Sequence, residues 1–435
     1  MSNDVEVRAL AAADPLADPA LFRELSRRYL IWDPYFAGQR RVDLHPLVLS
    51  AAMHASAVRA AEGAALAIAE VAALAHREAD ERARYGLADD VRRLASASFH
   101  AGDDAAFARV DLLLCRDGTF RACELNADCP GGQNEAHGLP RLAREAGFTE
   151  GSDPTTVLLA MTERLRELAD RPAAGAGRGA VGLTFATAYA EDLQIAALIQ
   201  RALGEVSVRA VRGPPTAPRA GDEGYGLSLG GVAVGAIYRY FPVEYMEGQR
   251  NLEAIVAAVS RGEVRTFPSF AGIYAQSKLA FARAFARRRE LSAAAQQAIT
   301  DHLPETHDLA DIPPATLLAE RGDWVIKRAL GRVGAQVFVG ALHPEDAWAA
   351  LVEQVVALRA AGEAYVAQRL VEQRAIPTPF GDRFVTLGAY VLDGHFCGYF
   401  ARLTAVTHVA HDALCVPTFV LDLGLDLDLD LDLGQ

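Results

Sequence analysis

The dipeptide Asp117-Gly118, set between the apolar runs ARVDLLL and FRACELN, restricts this chain more than any other feature. An Asp-Gly pair between extended segments is a strong hairpin signal, because the central positions of a type I′ turn require positive φ, which glycine adopts at no steric cost. A two-residue turn there fixes the register. Facing residues then have numbers that sum to 235, so Asp111 faces Glu124 and Arg109 faces Asn126. Side chains alternate along a strand, which puts all four on one face of the ribbon.

Two carboxylates directly opposite one another destabilise a sheet unless something neutralises them. A hard cation would do so, and two carboxylates with an amide carbonyl form the all-oxygen ligand set that Mg2+ prefers. On this reading, removing either charge leaves the fold intact or slightly stabilised. Arg109 adds a fixed positive fork for a phosphoryl group or a developing oxyanion. The competing reading is a solvated face crossed by an Arg-carboxylate network.

A chain of 435 residues with 51% apolar composition can build two or three packed units, so a multidomain α/β enzyme is expected. The 43 basic and 56 acidic residues give a net charge of -13, which repels nucleic acid. No apolar run is long enough to span a bilayer, and the N-terminus has no signal-peptide pattern, so no membrane association is expected. Five cysteines without a CxxC pair suit a reducing compartment, and a cytoplasmic location is expected.

Along the chain, Leu47 to Arg93 is rich in Ala, Leu, Glu and Arg at helical spacing and reads as two or three helices. The Ala/Gly-rich stretch Arg171 to Ala180 reads as a flexible connection. After it, a strand at Ala180 to Ala186, a helix at Glu191 to Leu203 and a strand at Val206 to Val211 begin a βαβ-type unit. Strands are expected at Trp324 to Arg328, Gln336 to Gly340, Tyr365 to Val371 and Arg383 to Leu392, with a helix from His343 to Ala360. The closing LDLGLDLDLDLDLGQ is a low-complexity acidic tail.

The segments ARVDLLL and FRACELNADCP resemble the magnesium motif of glutathionylspermidine synthetases and related circularly permuted ATP-grasp ligases. The likeness continues in order through YRYFPVEYM, SKLA, VIKRALGRVGAQV, YVAQRLVE and GAYVLDGHFCGYFARLT, covering Arg109 to Pro417. The resemblance implies an α/β fold with the ATP-grasp elements in permuted order. A helical region would span 1–100, a permuted ATP-grasp segment with the hairpin 101–175, and a Rossmann-like pre-ATP-grasp unit 176–265. The nucleotide-binding region would span 266–420 and the tail 421–435.

The same resemblance assigns Mg2+ to Asp111, Glu124 and Asn126, and charge stabilisation during acyl transfer to Arg109. Lys278 and Lys327 would hold the ATP phosphates, joined by Arg402. Backbone N–H groups of Gly334 and Ala335 would approach the phosphates from a glycine flap, and backbone groups around Arg369 and Leu370, with Gln368 alongside, would bind adenine. A P-loop does not fit, because Lys327 precedes its glycines and a strand follows them. Lys278 and Lys327 are the only lysines in the sequence, which argues against their being ordinary surface residues.

Two positions depart from the family pattern: Val333 stands where Glu is common, and Leu403 follows Arg402 in place of an acid. The sequence also contains no amidase unit. The resemblance therefore implies ligase chemistry on small-molecule or peptide carboxylate and amine substrates without implying glutathione or spermidine. A phosphotransferase and a non-catalytic nucleotide-binding protein are the alternatives. His408 and His411 form an HxxH pair without a third ligand, which does not make a zinc site.

Overall fold

The computed structural model describes residues 4–170, 179–221, 226–331, 336–407 and 413–421, and in it the hairpin is one side of a larger antiparallel sheet. Phe107–Leu114 pairs with Phe120–Asn126 on one edge and with Arg383–Leu392 on the other. The sheet continues to His395–Thr404 and Leu414–Val416, while Ala375–Ile376 adds a short rung to Arg383–Leu392.

One face of this sheet is apolar because alternate residues of each strand are apolar. Val110, Leu112, Leu387, Ala389 and Ala401 are buried in a single core with the helix Ala51–Arg77. That helix carries Ala57, Ala60, Ala61, Ala64, Ala67, Ile68 and Val71 in one buried stripe at helical spacing. Its small side chains let the helix axis lie close over the strands. Ser50 caps its start, the hydroxyl accepting from the Met53 N–H at 3.3 Å, and Glu78 ends it in an extended conformation. Each fully buried Val, Leu or Ile on this face contributes about 1.5–3 kcal/mol of transfer free energy. The opposite face is left to Arg109, Asp111, Gly388, Tyr390, Phe400 and Arg402.

A second sheet is built around Ala180–Phe185, a strand buried along its whole length, as parallel strands covered on both faces are. The helix Ala190–Glu205 leads from it to the parallel strand Ala210–Gly213, and Val232–Tyr240 lies parallel on the other side, followed by Arg265–Phe267. A third sheet orders Thr306–Asp308, Tyr365–Arg369, Trp324–Arg328 and Val337–Val339, all antiparallel. It packs Trp324, Ile326, Tyr365 and Ala367 with Trp348, Val352 and Val355 of the helix Glu345–Ala360.

The chain is therefore mixed α/β, as expected. Residues before the long helix are less helical than the resemblance implies: Val5–Val7 and Leu47–Leu49 form a small sheet with Thr418–Val420, and Tyr35–Phe36 pairs with Gln39–Arg40. Leu47, expected to open a helix, lies in a strand, because strands from both ends of the chain bury it. The second strand of the parallel unit begins at Ala210 and not at Val206, since the preceding helix runs on to Glu205. The 171–178 connection, His408, His411 and all of the Leu/Asp tail beyond Leu421 lie outside the described residues. Among the described residues no helix is long and apolar enough to cross a membrane, and all five cysteines are free thiols.

Candidate functional site

The hairpin turn is one residue longer than a type I′ turn. Cys115 donates its N–H to Thr119 O at 2.9 Å, Gly118 donates to Cys115 O at 3.0 Å, and only Gly118 in the turn has positive φ, at 84°. This is the three-residue loop in which a glycine completes a bulge. Asp117 secures it by accepting from the Thr119 N–H at 2.9 Å and the Thr119 hydroxyl at 2.7 Å. Near the turn, Leu112 pairs with Ala122 and Leu114 with Phe120, one residue out of the expected register. A bulge at Cys123 then restores it, so Asp111 does face Glu124 and Arg109 faces Asn126.

Asp111 is the centre of the polar face, 5% exposed. Arg109 reaches it with two N–H groups, Nε to Oδ1 at 2.7 Å and Nη2 to Oδ2 at 3.1 Å. Arg402 lies at 2.7 Å from Oδ1. Asn126 Nδ2 is 3.5 Å from Oδ2. Burial opposes ionisation of Asp111, but Arg109 and then Arg402 overcome it and hold the carboxyl well below the usual range. Both guanidinium groups lie over the Phe400 ring, 5.4 and 5.1 Å from its centroid. Arg109 Nη1 also donates to Gly131 O at 2.9 Å, and the Tyr390 hydroxyl donates to the same carbonyl at 2.7 Å.

Gly388 sits in register with both Asp111 and Phe400 on neighbouring strands. A Cβ there would lie 2.8 Å from Arg109 Cδ and 3.0 Å from Phe400 O, so the arginine stem occupies the space a side chain would take.

The two lysines approach from the other side. Lys278 precedes the helix Leu279–Ala286, and its Nζ pairs with Glu124 Oε1 at 2.9 Å and donates to Gly331 O at 2.8 Å. Lys327 lies in Trp324–Arg328, and its Nζ donates to Gln368 Oε1 at 2.7 Å and to Cys123 O at 3.1 Å. The bulge at Cys123 thus turns a strand carbonyl toward Lys327. Burial draws the Lys327 ammonium below its ordinary value. Burial also pushes the Cys123 thiol up to about 11, which keeps it protonated and inert as a nucleophile.

Arg109, Asn126 and Arg402 therefore gather on Asp111, Lys278 pairs with the facing Glu124, and Lys327 links Gln368 to the Cys123 carbonyl next to Glu124. Arg369 and Leu370, expected to meet adenine through backbone groups, lie apart from these contacts. Their N–H groups donate to Glu305 O at 2.8 Å and Asp323 O at 2.7 Å, so hydrogen bonding to a base there would fall to carbonyl groups. The Arg369 side chain turns outward, 4.0 Å over the Trp324 ring and 2.8 Å from Glu320. Both residues line a cleft of about 490 Å³ with Arg121, Glu305 and the Cys115 turn, at the outer ends of the strands that carry Cys123 and Gln368. Gly334 and Ala335 lie outside the described residues.

Among the described residues four basic side chains stand against two carboxylates in a buried setting, an excess of basic groups that suits a polyanionic group such as a phosphate chain. The expected neutraliser of the facing carboxylates was a metal ion; within the chain that part is taken by Arg109, Arg402 and Lys278. Among the described residues no three His, Cys, Asp or Glu side chains gather to hold a metal. The donors of Asp111, Glu124 and Asn126 nevertheless fit Mg2+ by type, oxygen carboxylates and an amide.

Tyr390, Phe400, Gly388 and the carbonyls of Gly131 and Cys123 were not singled out from the sequence. Carbonyl groups carry no sequence signal, whereas Gly388 stands alone in an otherwise side-chain-rich strand.

A family described as glutathionylspermidine synthase preATP-grasp matches residues 48–421. No curated protein matches the chain in sequence. Among solved structures, an apo glutathione synthetase like-effector from Globodera pallida superposes with a TM-score of 0.59 at 11% identity, over 93% of this chain and 98% of that one, a likeness of fold. A putative gamma-glutamylcysteine synthetase from Methylobacillus flagellatus KT covers 79% of this chain and 84% of its own at 13% identity, with a TM-score of 0.37, too loose a match to carry an argument.

Proposed function

The chain belongs to the glutathionylspermidine synthase preATP-grasp family, and from that premise we propose that it is an ATP- and Mg2+-dependent carboxylate-amine ligase. The reaction is phosphorylation of a carboxylate to an acyl phosphate, followed by attack of an amine and loss of phosphate. The observation that carries the reading is the convergence of Arg109, Arg402, Lys278 and Lys327 on one polar sheet face around Asp111 and Glu124. Binding and acyl transfer both need such a set of fixed positive groups where charge accumulates.

In this reading the fold is a permuted ATP-grasp with a Rossmann-like unit around Ala180–Phe185. Lys278 and Lys327 bind phosphate oxygens, Arg402 assists them, and Arg109 steadies the oxyanion formed as the amine attacks. Asp111, Glu124 and Asn126 would hold Mg2+, which when bound neutralises phosphate oxygens. Gln368 orients Lys327, and the Arg369–Leu370 cleft receives the adenosine end. Val333 and Leu403 mark where substrate use departs from the family pattern, so the acid and amine remain a class: amino acids, small peptides and amines.

Hydroxylamine offered in place of the amine tests the reading. An acyl phosphate is intercepted as a hydroxamate, so ATP, Mg2+ and a panel of amino-acid and short-peptide carboxylates should yield hydroxamate with at least one acid. ADP release without hydroxamate or amide would favour a phosphotransferase. The absence of ATP turnover with every acid and amine tried would favour the binding-protein alternative.

A further inference from the structure

We infer that Gln276 is a positioning residue, setting the spacing between the hairpin that carries Asp111, Glu124 and Asn126 and the phosphate-side Lys278. The inference rests on the nucleotide-site reading above. Gln276 is the last residue of the short helix Ile273–Gln276 and is 2% exposed. Its Oε1 accepts from two consecutive backbone N–H groups, Ala127 at 2.8 Å and Asp128 at 3.0 Å. These two residues directly follow Asn126, past the end of the strand, where the ladder supplies no partner. Both are buried, and an amide oxygen with two lone pairs satisfies both donors at once.

Two residues after Gln276, Lys278 donates its backbone N–H to Ala329 O at 2.9 Å, just beyond Lys327, while its Nζ reaches Glu124 and Gly331 O. The tripeptide Gln276-Ser277-Lys278 therefore touches the end of the carboxylate hairpin with one side chain and the root of the glycine flap with the next. The far side of the junction is fixed as well. Asp128 Oδ2 accepts from the Val243 N–H at 3.1 Å, and Asp128 Oδ1 pairs with Arg239 at 2.6 Å. Arg239 is 1% exposed and lies 5.1 Å over the Phe270 ring, three residues before the Gln276 helix. This gives the YRYFPVEYM segment a part: it holds Asp128 in place, and Gln276 registers Lys278 against that anchor.

A loop cap and a positioning residue differ in what they do to metal-dependent binding. The test measures ATP affinity of the full chain by calorimetry, with Mg2+ and with EDTA, alongside thermal unfolding, for wild type, Gln276→Asn, Gln276→Met and Gln276→Glu. Asn draws the acceptor back by one methylene, Met removes it, and Glu keeps an acceptor oxygen at the same reach. The expected result is that Gln276→Asn and Gln276→Met lose at least about tenfold of the affinity that Mg2+ adds. Their affinity in EDTA stays close to wild type, and Gln276→Glu restores the Mg2+ gain. Should Met prevent folding, Asn alone decides. A Mg2+ gain unchanged in Gln276→Asn, or equal losses with and without Mg2+, would overturn the positioning role and leave the nucleotide site standing. A wild-type chain that binds no ATP would overturn both.

Discussion

Arg109 reaches Asp111 by lying across the Cα of Gly388, in space that a single methyl group would fill. Gly388→Ala places its Cβ against Arg109 Cδ and against the Phe400 carbonyl, and the carbonyl, being backbone, cannot move aside as a side-chain end can. Overpacking of this kind costs about 1–3 kcal/mol. The variant should lose hydroxamate formation out of proportion to its fall in Tm, since the displaced group is Arg109. Full activity in Gly388→Ala would show that Arg109 works from another position.

Asp111→Asn should be strongly destabilising, by about 3–5 kcal/mol, because it leaves Arg109 and Arg402 buried without their shared counter-charge. From the hairpin alone the opposite sign is expected, relief of repulsion between facing carboxylates; the two arginines reverse it. Glu124→Gln should cost less, since its side chain is 25% exposed and faces one lysine. Denaturant unfolding of the two variants checks the ranking.

Lys327→Arg should lower kcat/KM at least tenfold, about 1.4 kcal/mol of transition-state stabilisation. The ammonium sits between Gln368 Oε1 and the Cys123 carbonyl in a buried slot, and a planar guanidinium cannot make both contacts from the same stem. Steady-state kinetics equal to wild type would remove Lys327 from the site.

Glu135, at the start of the helix Gln133–Glu145, gives a pH-dependent prediction. Burial, and then the nearby Glu191, raise its carboxyl from 4.5 to about 7. A carboxyl raised in the folded state stabilises the protein below its unfolded value and withdraws that stability as pH climbs to the folded value. Wild type should therefore lose stability between about pH 4.5 and 7 through this group, by a few kcal/mol at about 1.4 kcal/mol per unit. The Glu135→Gln variant should flatten that slope, with Tm at pH 8 above wild type. Parallel Tm-against-pH curves for the two proteins would refute the assignment.

The hairpin register was legible from Asp117-Gly118, although by a route in which two departures cancel. The turn holds one residue more than a type I′ turn, and the Cys123 bulge takes the difference back. The bulge itself was written in the sequence. Buried apolar residues fall at Phe120 and Ala122, then at Leu125 and Ala127, and this change from even to odd positions requires an extra residue between them. What no local pattern gives is the neutralisation of Asp111, because Arg402 arrives from a strand far along the chain. The engagement of the Arg369 and Leu370 N–H groups was hidden for the same reason, since their acceptors, Glu305 and Asp323, are set by the third sheet. Leu47 misleads because propensity describes a helix where strands from both ends of the chain pair.

The excess of basic side chains among the described residues of the site lies in a chain whose net charge is -13. At low ionic strength an approaching polyanion meets the repulsion of the whole molecule, which salt damps beyond roughly 10 Å, and close to the site the cluster attracts it. Capture is then slow at a distance and strong on arrival. Added salt should speed the encounter while loosening the complex, the reverse of the encounter-rate trend for a site whose surroundings share its sign.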